Sequence, residues 1–74
     1  PQQKLDLHKV SHENAKKFVE DFIISNFMDL PIEIITGNSL DMQNIVKKIV
    51  QKHKLRLVPS HPNNLGSYII NNRL

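Results

Sequence analysis

The residues best suited to chemistry stand at the start of the chain, in Leu5-Asp6-Leu7-His8. Alternation along a strand puts Asp6 and His8 on one face and Leu5 and Leu7 on the other. A carboxylate beside an imidazole can orient the ring and fix its tautomer. Such a histidine can serve as general base toward water or a ribose 2′-hydroxyl. Asp6 can instead help hold a divalent cation such as Mg²⁺; no second carboxylate stands at a spacing that would complete a cage, and the residues leave both alternatives open. Plainer roles exist as well. Asp6 can pair with a lysine or bond a backbone N–H, and His8 can be an ordinary strand-end histidine. His8 and His12 are four apart, but they make a metal pair only if one helix carries both. Ser11 is a good helix N-cap and separates them.

The second group with chemical character is Thr36-Gly37-Asn38-Ser39. It follows an isoleucine-rich run and precedes a helical pattern. That arrangement aims the free N–H groups and positive dipole end of a helix at whatever lies before it, a setting that suits phosphate. Thr36-Gly37 reads equally well as a plain strand-to-helix turn.

The intervening elements must bring these two groups together. Lys4 to His8 alternates with period two and reads as a short strand. Residues 12–27 repeat Ala15, Phe18, Val19, Phe22, Ile23 and Phe27 at helical spacing, with Glu13–Lys17 and Lys16–Glu20 as i,i+4 pairs. The three phenylalanines are expected in the core. Met28 to Pro31 ends that helix, and Ile32-Glu33-Ile34-Ile35-Thr36 reads as a central parallel strand buried on both faces. Residues 41–54 form a second amphipathic helix with the stripe Met42, Ile45, Val46, Ile49, Val50 and, at its boundary, His53. Leu55 to Val58 alternates as a strand. Pro59 to Asn64 has the composition of a loop. Leu65-Gly66 leads into a last strand, Ser67 to Asn71, where Tyr68 is expected to pack against the sheet, and residues 72–74 are expected to fray.

The resulting order is βαβαββ. Two strand–helix–strand units imply right-handed crossovers. If both step the same way, the two helices cover one face. The expectation is therefore an α/β (α+β) two-layer sandwich, a single domain over residues 1–74. A start at Pro1 without Met leads us to expect that it is cut from a larger protein.

Against this framework the two groups look like the two signature blocks of the Smr (small MutS-related) domain. Leu5-Asp6-Leu7-His8 ends strand one, with Ala15 placed in the following helix as in the family. Thr36-Gly37-Asn38-Ser39 resembles the family's His-Gly-x-Gly or Thr-Gly-x-Gly block. Gly66 before an apolar last strand matches the C-terminal block. The resemblance spans roughly residues 4–72. It implies a fold like the C-terminal domain of the third bacterial translation initiation factor: a mixed four-stranded sheet of order 1-2-4-3, strand four antiparallel, with two helices on one side. It also implies nucleic-acid binding, with DNA-nicking or RNA-cleaving endonuclease activity in several members and action at stalled ribosomes in some. Three positions depart from the family. Lys9 replaces the usual glycine after the first block, Thr36 the commoner histidine, and Ser39 the second glycine of the second block. A glycine there lets the backbone approach a phosphate or take positive φ; serine can cap the helix instead.

Charge sharpens the expected partner. Residues 1–36 carry four lysines against six acids, whereas residues 37–74 carry Lys47, Lys48, Lys52, Lys54, Arg56 and Arg73 against Asp41 alone. The second half is a candidate polyanion surface, although a lysine-rich helix face can also serve solubility alone. Asp6 and His8 are thus the candidate catalytic pair. Lys9, Thr36, Gly37, Asn38, Ser39, Lys47, Lys48 and Arg56 are the candidate nucleic-acid contacts. With so few aromatic residues, stacking cannot dominate recognition, so backbone contact is expected. The alternative reading, motivated by the three departures, is a catalytically silent module that binds protein or ribosome.

Other classes fit less well. No apolar run approaches the ~20 residues of a membrane span, and Pro1 to Lys4 leads into no apolar targeting segment. The chain has no cysteine, hence no disulfide or thiolate metal site, and an intracellular setting is expected. A chain of 74 residues with no dinucleotide fingerprint is poorly suited to enclosing a small-molecule substrate.

Overall fold

The computed structural model describes residues 3–73; Pro1, Gln2 and Leu74 lie outside the described residues. Strand β1 (Lys4–Asp6) leads through a turn to helix α1 (His12–Ser25). A 3₁₀ turn at Phe27–Asp29 precedes strand β2 (Ile32–Ile35), helix α2 (Leu40–Lys52), strand β3 (Arg56–His61) and strand β4 (Asn64–Asn71). The sheet order is β1-β2-β4-β3. Strand β1 runs parallel to β2, and β4 runs antiparallel to both β2 and β3. This is the mixed two-layer α/β sandwich expected from the sequence.

Period two and period 3.6 each do their work. Leu5, Leu7, Ile32, Ile34, Tyr68, Ile70 and Leu57 turn toward the helices, where Ala15, Val19 and Ile23 of α1 and Met42, Val46, Ile49 and Val50 of α2 meet them. Glu33, Ile35, Ser67 and Ile69 alternate with these residues and fall on the opposite, uncovered face. Strand β2 is therefore half covered, whereas its three isoleucines led us to expect burial on both faces.

The phenylalanines also need correction. Phe18 and Phe27 are 44% and 46% exposed, and only Phe22 packs partly against the core. The buried line of α1 is the i,i+4 series Ala15-Val19-Ile23. Glu20 meets α2, so Phe18 and Phe22 lie on the opposite flank of the helix. Helix α1 stops at Ser25 rather than at residue 27, because Asn26 turns its side-chain amide back onto the Phe22 carbonyl at 2.9 Å.

The segment expected to be a loop, Pro59 to Asn64, is largely strand. Strand β3 runs on through His61 and turns tightly into β4, with a bulge between Pro59 and His61. An edge strand tolerates proline, and a bulge absorbs the irregularity. The other edge of the sheet is β1, three residues long.

Helix α2 ends two residues earlier than expected, in a Schellman arrangement. The Leu55 N–H donates to the Val50 carbonyl at 3.1 Å and the Lys54 N–H to the Gln51 carbonyl at 3.0 Å. This requires Lys54 to adopt φ 58°, in the left-handed region. A side chain there costs about 1 kcal/mol relative to glycine. Lys54→Gly should therefore stabilise the domain, raising the midpoint of thermal unfolding by about 4–8 °C. An unchanged or lowered midpoint in a calorimetric scan would contradict it.

Candidate functional site

Parallel pairing sets Asp6 opposite Ile35, so the C-terminal ends of β1 and β2 lie side by side. The ladder extends one step further, with the Leu7 N–H donating to the Ile35 carbonyl at 2.8 Å. The chain then turns, closed by the Val10 N–H on the Leu7 carbonyl at 3.0 Å. Strand β1 therefore ends at Asp6, and His8 sits in the turn rather than at the strand end. The two side chains still meet. Asp6 Oδ1 accepts from the His8 backbone N–H at 3.0 Å and lies 2.8 Å from His8 Nδ1. This two-residue reach-back is the local bond that aspartate favours in turns. The hydrogen bond from the His8 N–H, followed by that from its ring, holds the Asp6 carboxyl below its usual range. In the tautomer that carries its proton on Nδ1, His8 donates to Asp6 and keeps its lone pair on Nε2.

The second block forms the neighbouring turn. Gly37 has φ 69°, which glycine adopts without strain. A methyl group at Gly37 would lie 3.7 Å from the His8 Cβ, so the two turns are in contact. The Gly37 carbonyl accepts from Thr36 Oγ1 at 2.9 Å and from Gln43 Nε2 at 3.2 Å. The Gly66 carbonyl accepts both the Thr36 and Gly37 N–H groups, at 2.8 and 3.0 Å. Gly66 must come this close: a Cβ on it would stand 3.2 Å from the Gly37 backbone. Ser39 caps α2, its Oγ accepting from the Met42 N–H at 3.1 Å, and lies 3.5 Å from His12 Nε2.

The candidate residues thus fall into distinct groups. Asp6, His8, Lys9, Gly37, Asn38 and Ser39 gather at one sheet edge. Thr36 is also there, but it is buried with its hydroxyl turned inward, so it braces the turn and offers a ligand no contact. The N–H of Gly37 is likewise taken. Lys47, Lys48 and Arg56 are elsewhere. Arg56 begins β3 opposite Asn71, at the other end of the sheet, and Lys47 lines a depression with it. Lys48 lies along the groove between the helices, among Lys16, Glu20 and Asp21. Lys52 is bonded to Glu20 at 2.8 Å, and His53 contacts the same carboxylate, so this pair clasps the helices together.

Three contributors escaped the sequence. Gln43 is a buried amide on a helix otherwise patterned for apolar packing, and nothing in its spacing marks it. His12 starts α1 and reaches the α2 cap, a contact 27 residues away in the chain. Glu33 lies on the uncovered face, where its carboxylate accepts from the hydroxyls of Ser67 and of Ser60, the latter at 3.2 Å. Lys4 is 3.8 Å away. Among the described residues no group of three or more acid, histidine or cysteine side chains is gathered to hold a metal ion. Asp6 and His8 alone do not fit a cation cage. Among the described residues no helix is long and apolar enough to cross a membrane.

The hydroxyl of Ser67, then that of Ser60, holds the Glu33 carboxyl below its ordinary value of 4.5. A depressed folded value contributes stability that is present above the unfolded value and lost as pH falls through the folded one. The urea midpoint should therefore drop from pH ~5 toward ~3, and less steeply in Glu33→Gln. Parallel pH profiles for the two proteins would refute this.

A scan against protein-family models finds no match, and a search of curated proteins finds none.

Proposed function

We propose that the chain is an Smr-like nucleic-acid-binding domain whose Asp6–His8 couple cleaves a phosphodiester. The observation that carries this reading is the couple itself, an ionised carboxylate 2.8 Å from an exposed imidazole. It stands against a glycine turn and the N-terminus of a 13-residue helix. In this scheme Asp6 fixes the ring through Nδ1. His8 Nε2 takes the proton from water or a ribose 2′-hydroxyl as that oxygen attacks phosphorus; the P–O bond to the opposite sugar oxygen breaks, and that leaving oxygen takes a proton from water or from the imidazolium so formed. Lys9, exposed on the same turn, and the unpartnered first N–H groups of α2 oppose the phosphate charge.

One observation favours a second reading, a non-cleaving module that binds protein or ribosome. Thr36 and the Gly37 N–H point inward, so the second block presents only Asn38, Ser39 and the helix end.

The test uses labelled single-stranded RNA and supercoiled plasmid, with and without Mg²⁺. Cleavage that is lost in His8→Ala and reduced in Asp6→Asn supports the couple. Cleavage untouched by both substitutions removes it. Binding that weakens steeply with salt but brings no cleavage favours a binding module, and binding that ignores salt argues against backbone contact.

A further inference from the structure

One group of three cations lies away from the Asp6–His8 edge. Lys47 from α2, Arg56 from β3 and Arg73 beyond β4 surround a depression floored by Val50, Leu55 and Leu57. Arg73 is fixed there, its Nε–H donating to the Leu55 carbonyl at 3.3 Å. That bond occupies one N–H of a guanidinium that has five. Among the described residues none of the three cations pairs with a side-chain carboxylate, whereas Lys4, Lys17 and Lys52 each do. Among the described residues no acidic side chain lines the depression.

Sheet direction separates this cluster from the candidate active edge. Asp6 pairs with Ile35 and Ile35 with Ser67, while Arg56 pairs with Asn71. The cluster is thus four residues away along β4 and three strands across from β1. Strand rise and spacing make this roughly 20 Å, most of a molecule whose extents are 28 × 27 × 21 Å. One phosphate cannot meet both places.

We infer that Lys47, Arg56 and Arg73 form a second, separate phosphate-binding site, which holds the nucleic-acid backbone at a distance while another part of the same strand lies on the Asp6–His8 edge. The inference rests on the nucleic-acid reading above. Two guanidinium forks and an ammonium, with no acidic side chain beside them among the described residues, suit successive phosphates. A strand spaced at ~3.4 Å per phosphate, as in duplex, needs about six steps to bridge 20 Å. A trinucleotide can occupy one site only.

The experiment compares a labelled trinucleotide with a single-stranded RNA of roughly 15 nucleotides by fluorescence anisotropy across a salt series. The variant is Lys47→Gln/Arg56→Gln/Arg73→Gln, with circular dichroism to verify folding and Arg73→Lys as a milder form that keeps charge. We expect the long RNA to bind at least ~10-fold more weakly to the triple variant, with a salt slope reduced by about 2, near 0.7 for each of three phosphates. Arg73→Lys keeps that slope. A trinucleotide that binds through the distant edge keeps its affinity in both variants. The inference is overturned if the long RNA binds the folded triple variant as it binds the wild type. Equal weakening for both lengths overturns the separation of the sites. Competition by polyglutamate as effective as that by RNA reassigns the cluster to acidic protein and also overturns it. Failure of the wild type to bind either RNA overturns the nucleic-acid reading, and this inference with it. A cluster effect without any cleavage leaves this inference standing and overturns only the catalytic part of that reading.

Discussion

If the domain cleaves as proposed, His8→Ala is expected to lower that cleavage about 10²–10⁴-fold, the range that a positioned general base supplies. Affinity for the uncleaved strand should change far less, because Lys9 and the α2 N-terminus remain. The fold should survive, since the His8 and Asp6 side chains are 55% and 51% exposed. Asp6→Asn gives a more informative result. An amide can turn either its oxygen or its NH₂ toward Nδ1. The oxygen preserves the working tautomer without the charge. The NH₂ group donates to Nδ1 and forces the proton onto Nε2, which removes the base. Intermediate activity with unchanged KM is therefore expected, measured by single-turnover cleavage on the full chain. Equal activity in wild type and Asp6→Asn would mean that the carboxylate has no part in holding the ring.

The largest effect on stability is expected from Leu7→Ala. Leu7 is fully buried between the exposed Asp6 and His8. Removing such a side chain costs about 2–5 kcal/mol. A domain of this length holds only about 4–11 kcal/mol in total. The thermal midpoint should fall by more than ~10 °C, and part of the population should be unfolded at physiological temperature. Cleavage would fall with it, but would recover on cooling, which separates this substitution from His8→Ala. Leu5→Ala, at a half-buried position, should cost visibly less. If the two cost the same in denaturant unfolding, Leu7 does not hold the turn to the core.

Much of this was legible because it repeats. The Ala15-Val19-Ile23 line, the α2 stripe and the isoleucines of β2 each recur with the period of their element, and two crossovers leave few topologies. The Asp6–His8 contact was legible for a local reason: two residues apart, the pair meets whether the backbone continues as strand or turns. What stayed hidden depends on partners. Pro59-Ser60-His61 has loop composition and becomes strand because β4 supplies hydrogen bonds along one side. Phe18 has core spacing but lies on the flank turned away from α2. Arg56 follows Lys47 and Lys48 closely in sequence, and linear order gives no sign that strand direction carries it to the far end of the sheet. Gln43 is invisible because a buried amide is recognised only by the carbonyl it bonds.

The two unequal margins of the sheet bear on how the domain behaves in a crowded solution. A guest strand laid along β1 finds three residues, enough for two or three backbone bonds worth ~1 kcal/mol each. Along β3 it finds Pro59, which has no N–H to give, and a bulge that breaks the register. Neither margin returns the ~4–15 kcal/mol of freedom lost when two molecules join. Concentrated samples should accordingly stay free of edge-to-edge fibres.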